Sequence, residues 1–140
     1  MYRKLGGAMV FAVLAVVTVL FHLGFILFVI FGGLLVARRP RLAPVHLGCA
    51  AWGAYVALAN RICPLTPLEN WFRQRGGGSG YGGGFLEHYL LAIVYPTGLT
   101  AGTQRALGLF VIVLNAAVYA WILRRRRGRS RTPIVTPPEL

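Results

Sequence analysis

Acidic side chains are nearly missing from this chain. It has no aspartate and only three glutamates, Glu69, Glu87 and Glu139, against fifteen lysines and arginines. Charged residues of both signs make up 13% of the sequence and hydrophobic ones 56%, with a mean hydropathy of +0.63. A soluble domain carries about a quarter charged residues, so an ordinary soluble domain is excluded and the surplus apolar surface must face something other than water. The net charge of +12 raises the possibility of a nucleic-acid partner. Too little soluble surface is left to build a groove reader, and a basic rim around a membrane body explains the charge instead.

Cysteine is equally sparse. Cys49 and Cys63 are the only thiols and stand fourteen residues apart on one predicted helix. At about 1.5 Å per residue they are roughly 21 Å apart, well past the about 7 Å limit for a disulfide. There is no C-x-x-C motif, which excludes thiol–disulfide exchange within the chain and leaves two free cysteines. Phosphate-loop and nucleophile-elbow patterns are also missing. Gly78, Gly80 and Gly83 match G-x-G-x-x-G in spacing, but no strand precedes them.

Long uncharged blocks are what the sequence does have. They predict an all-α integral membrane protein with four transmembrane helices, near 8–36, 42–62, 84–101 and 104–123, forming one domain over 1–126. A crossing needs about 20 mostly apolar residues, so the first helix must tilt or project beyond the bilayer. The apolar run behind Met1-Tyr-Arg-Lys4 far exceeds a signal-peptide core, so it reads as an uncleaved anchor. Four crossings gather Arg3, Lys4, Arg73, Arg75 and the tail arginines on one side. The positive-inside rule then places both termini in the cytoplasm, and the setting is a bacterial inner membrane. Residues 127–140 form a basic, proline-containing flexible tail.

The middle loop opens with Cys63-Pro-Leu-Thr-Pro-Leu-Glu69. Thr66 as cap, Pro67 at the first helical position and Glu69 reaching back to the Thr66 amide spell a capping box. The short interfacial helix that follows puts Leu68, Trp71 and Phe72 on one face and pairs Glu69 with Arg73 four residues on. Glu69 thus reads as a cap rather than a general acid. The glycine-rich run 76–84 reads as a flexible linker.

Ionisable residues within spans are costly and often functional, which singles out His22, His46, Glu87 and His88. His22 belongs at mid-span, His46 at one membrane face and Glu87 with His88 at the other, a spread that argues against haem or a compact metal site. A clamp between Glu87 and Arg61 or Arg73 would hold spans two and three together. Ala50, Gly53, Ala54 and Ala57 form a small-residue face for close helix approach. Asn60 and Asn115 can hydrogen-bond across helices, and Arg124, Arg125, Arg126 and Arg127 suit anionic lipid headgroups.

Several motifs together resemble a known family. They are His22-Leu-Gly-Phe, Gly32-Gly-Leu-Leu35, Arg39-Pro-Arg-Leu42, His46-Leu47, Cys63-Pro-Leu-Thr-Pro-Leu-Glu-Asn70, Gly83-Gly-Phe-Leu-Glu-His-Tyr-Leu90 and Tyr95-Pro-Thr-Gly-Leu-Thr100. Over roughly residues 8–126 the chain resembles the small bacterial membrane proteins grouped as domain of unknown function 2784. The resemblance implies a four-helix membrane fold and no activity. Ala57 and Arg61 depart from the pattern, where an acid and a nearby tryptophan are common.

The reading that follows is a non-enzymatic accessory or scaffolding subunit of a membrane complex. Its partners would be membrane lipids and other membrane subunits, with no nucleic acid, no cofactor, no metal and no catalytic residue. The candidate functional cluster is Glu87, His88, Cys63, Glu69, Asn70 and His22. The alternative is a small-molecule, haem, metal or proton-handling protein using Glu87, His88, His22 and Cys63.

Overall fold

The computed structural model describes residues 2–91 and 100–129, which are helical with no strand. Helix α1 runs without a break over Tyr2–Arg38, 37 residues or about 55 Å. Pro40 ends it: Arg39 is pushed to φ −128°, ψ 84°, because the residue before a proline is driven out of the helical region. A single 3₁₀ turn, Pro40–Leu42, reverses the chain into α2, Ala43–Leu58. Helix α3 spans Leu65–Arg75, a π-helical turn spans Leu86–Leu91, and α4 spans Ala101–Arg129.

Helix α2 is shorter than the 42–62 expected from hydropathy. Asn60 adopts φ +49° while the Arg61 amide donates to the Val56 carbonyl (2.9 Å) and the Asn60 amide to that of Ala57 (3.3 Å). These bonds form a Schellman motif with asparagine at its left-handed position, so local geometry stops the helix inside an apolar run. Helix α4 begins on a side-chain cap. The Thr100 hydroxyl accepts from the Thr103 amide (3.2 Å) and the Thr100 carbonyl from the Gln104 amide (3.0 Å), an N-cap arrangement. The helix continues through Arg129, so Arg124 to Arg127 lie on it rather than in a flexible tail.

Contacts settle the directions of the helices. Along α1 and α2, Gly32 meets His46 and Val29 meets Gly53, so the pair is antiparallel. Asn115 donates to the Val29 carbonyl (3.1 Å) and Gly33 meets Val118, so α4 runs parallel to α1. Against α2, Tyr119 meets His46, Gly108 meets Ala57 and Gln104 meets Arg61. The small-residue face of α2 does the expected work: Ala50 and Ala54 are buried, and the helices approach closely there.

Four crossings would set α1 and α4 antiparallel, whereas they run parallel. Residues 84–101 were assigned a full crossing, yet Gly84, Glu87 and Gln104 all line the same cavity. Both ends of the segment therefore sit at one end of the bundle, and residues 92–99 lie outside the described part. The described ends of the chain, Tyr2 and Arg129, consequently lie toward opposite ends, not on one side. The tail beyond Arg129 is also outside the described part.

Two helical stretches, Gly6–Arg38 and Ala101–Gly128, are long and apolar enough to cross a membrane. Only 22% and 17% of their most apolar windows are buried, whereas the core helix of a soluble domain would be mostly covered. Large side chains such as Val13, Val17, Leu20, Phe31, Leu109 and Val113 are exposed. A helix that is apolar all round and uncovered by protein is suited to lipid.

Candidate functional site

Polar side chains gather in three places, each built by a different part of the chain. The first lies beneath α3, which packs on the N-terminal half of α1 through Phe11, Trp71 and Phe72. Glu69 is fully buried there. Its carboxylate accepts from the Tyr81 hydroxyl (2.8 Å) and the Tyr89 hydroxyl (2.6 Å), and pairs with the Arg73 Nε (3.1 Å). Arg73 also donates to the Tyr89 hydroxyl (2.7 Å). The next residue, Asn70, donates to the Tyr81 carbonyl (2.8 Å) and accepts from the Tyr81 amide (3.0 Å). Burial above all, then the hydrogen bond and charge of Glu69, push the Tyr81 phenol well above its ordinary pKa, so it stays a donor.

Two expectations are corrected by this network. Glu69 is no cap: α3 starts at Leu65 without a side-chain cap, the Thr66 amide donates to the Cys63 carbonyl (2.9 Å), and Glu69 faces the tyrosines. The Glu69–Arg73 pair does form. The glycine-rich run is not a free linker either, since Asn70 holds Tyr81 at both backbone groups. Beyond Tyr81 the loop needs Gly83, whose φ is +78° and whose position would put any Cβ into the Glu87 carboxylate. Gly83→Ala is expected to cost about 1–2 kcal/mol, read as a lowered unfolding midpoint in detergent; an unchanged midpoint would mean that the loop can rearrange.

The second gathering is a half-open cavity of about 400 Å³ lined by α1, α2, α4 and the 83–87 turn. Most of its wall is apolar, including Phe25, Ile26, Val29, Val56 and Phe110, while Arg61, Cys63, Glu87 and Gln104 line it where the chain enters and leaves the bundle. His22 completes the wall from α1. It is 3% exposed, lies against the Phe85 ring (4.2 Å between centroids), and its Nδ1 is buried without a partner. Sequence spacing set His22 at a different depth from Glu87. The structure brings them together because α1 passes the loop end of α2 and α4 near its middle.

Not every candidate reaches this cavity. His88 is exposed and stacks on the Tyr81 ring (3.8 Å, 7°). Glu69 and Asn70 belong to the network under α3. Arg73, once a possible partner for Glu87, is held by Glu69, and Glu87 instead accepts from the Gly84 amide (3.4 Å). Cys49 and Cys63 are free thiols. Arg124 to Arg127 lie near the far end of α4, with Arg125 over the Trp121 ring (4.3 Å).

The third place was missed as a site. His46 was expected at a membrane face, but it is 0% exposed. Its Nδ1 lies 3.0 Å from the Tyr119 hydroxyl, its ring meets Phe28 edge-on, and its Nε2 has no partner. The bare backbone of Gly32 leaves room for the ring, since a Cβ there would collide with it. The adjacent Gly32-Gly33 pair was the available signal. Gly32 is ten residues, or about 15 Å, beyond His22 on α1, so the two histidines cannot share a ligand. Among the described residues no three His, Cys, Asp or Glu side chains are grouped to hold a metal ion.

A family model described as a protein of unknown function, DUF2784, matches residues 12–120. The chain belongs to that family. No curated protein and no solved structure matches it. The DUF2784 match takes in the Glu69 network, the cavity and the His46 pocket, but carries no activity to assign to them.

Proposed function

We propose that this DUF2784 protein is a membrane-embedded holder of a small lipophilic ligand, which occupies the cavity between α1, α2 and α4. The observation that carries this reading is the cavity itself: a largely apolar hollow of about 400 Å³ among α1, α2 and α4. The volume lies within the about 300–1,000 Å³ range of small-molecule sites.

In this reading α1, α2 and α4 each cross the bilayer. Arg38, Arg39, Arg41 and Arg124 to Arg127 then share an end, which the positive-inside rule places in the cytoplasm, where those arginines can meet anionic lipid headgroups. The test is native mass spectrometry of protein purified in mild detergent. A retained small molecule at one per chain is expected, and Ile26→Phe/Val56→Phe, which narrows the cavity, should release it. A folded protein that carries nothing and takes up no lipophile would refute the reading.

An accessory-subunit role is the second reading. It draws on the N-terminal half of α1, where Met9, Val10, Val13, Val16 and Val17 remain exposed beside α3. A protein partner that co-purifies stoichiometrically and shields these residues from a lipid-phase label would favour it.

A further inference from the structure

We infer that the ligand of this cavity is a single-chain amphiphile with an anionic head, a carboxylate or a phosphate monoester, whose head meets Arg61 while its chain lies along Ile26, Val29 and Phe110. The inference rests on the proposed ligand-holding function and adds the head-group chemistry. Arg61 lines the cavity, and among the described residues its guanidinium has no ion pair. Its backbone is engaged, the amide donating to the Val56 carbonyl (2.9 Å) and the carbonyl accepting from Gln104 (3.2 Å). The shortage of acids explains why the guanidinium has no ion pair. Glu69 is committed to Arg73 and two tyrosines, and Glu139 lies outside the described residues.

A second cation stands nearby. The Asn60 amide, oriented to satisfy both its groups, donates to the Ala101 carbonyl (3.1 Å) and accepts from Arg105 (3.1 Å). This fixes the Arg105 guanidinium beside the residue that precedes Arg61. Glu87 is the one opposing charge on the wall, and its Oε2 is turned to the Gly84 amide (3.4 Å). Arg61 on the wall, with Arg105 just outside it, against one carboxylate favours an anionic head over a cationic one. The wall beyond them is apolar, and the cavity's size suits one chain rather than two. Guanidinium with a carboxylate or phosphate makes a charge-assisted, bidentate pair, and the exposed Arg61 is free to turn to it.

The experiment is thermal unfolding of the full chain in a neutral detergent, titrated separately with palmitate, hexadecyl phosphate and hexadecanol. A ligand that binds only the folded state raises the midpoint. The better of the two anions should act at about tenfold lower concentration than the alcohol, as one hydrogen bond to a charged group implies, and comparing the two identifies the head. Arg61→Gln should bring that ratio within about twofold, chiefly by weakening the response to the anion, and Arg61→Lys should keep part of it. If hexadecanol matches both anions in the unaltered protein, or Arg61→Gln keeps the full preference, the anionic-head assignment is overturned and the cavity reading survives. If none of the three shifts the midpoint, or Ile26→Phe/Val56→Phe responds as the parent does, the ligand-holding function itself fails.

Discussion

Replacing Glu69 with alanine should be among the most damaging single changes available in this chain, costing about 3 kcal/mol, the low end for removing one partner of a buried pair. The low end applies because the Arg73 side chain is one-third exposed and can recover some hydration. The change would strand the Tyr81 and Tyr89 hydroxyls, which both donate to the lost carboxylate, and it would loosen the strap that holds residues 76–89 under α3. Glu69→Gln should cost roughly half as much, since its amide oxygen still accepts one bond. Unfolding by sodium dodecyl sulfate in mixed micelles measures the free energy. Limited proteolysis across 76–84 reports whether the strap has opened. A Glu69→Ala protein within about 0.5 kcal/mol of the parent, a range typical of neutral surface changes, would show that the network does not hold this region together.

Gly32→Ala is the second. A methyl group at this position would overlap the His46 ring and crowd Phe28. Neither neighbour can yield easily, because His46 is fully buried and bonded to Tyr119. Overpacking of this kind costs about 1–3 kcal/mol, and about 2 kcal/mol is expected. The diagnostic is a double-mutant cycle. In a His46→Ala background the same change should cost under about 0.5 kcal/mol, a coupling of the size found for residues in direct contact. Equal costs in the two backgrounds would mean that α1 and α2 do not meet as described. Because His46→Ala removes the Tyr119 partner as well, that variant alone should already be less stable than the parent.

The local signals were legible in particular residues. Pro40 ends α1, the Glu69–Arg73 pair forms at its four-residue spacing, and the small face of α2 packs as its composition implied. Other signals were present but ambiguous. Asn60 reads equally well as a cross-helix hydrogen bonder or as a left-handed terminator; it is the second through its backbone and bridges to α4 through its amide. Thr66-Pro67-Leu68-Glu69 satisfies the pattern of a capping box, but the pull of two tyrosine hydroxyls more than ten residues away outweighed a local bond to one amide.

Helices long and apolar enough to cross a membrane, and family membership, were written in the order of residues, because both follow from runs of side chains and from backbone groups satisfied within each helix. The parallel course of α1 and α4, the placing of His22, Glu87 and Arg61 on one cavity wall, and the burial of Glu69 and His46 were not. Each of these depends on contacts between residues tens of positions apart. Such contacts are decided by which close-packed arrangement leaves the fewest buried polar groups without partners, and only the assembled helices can answer that.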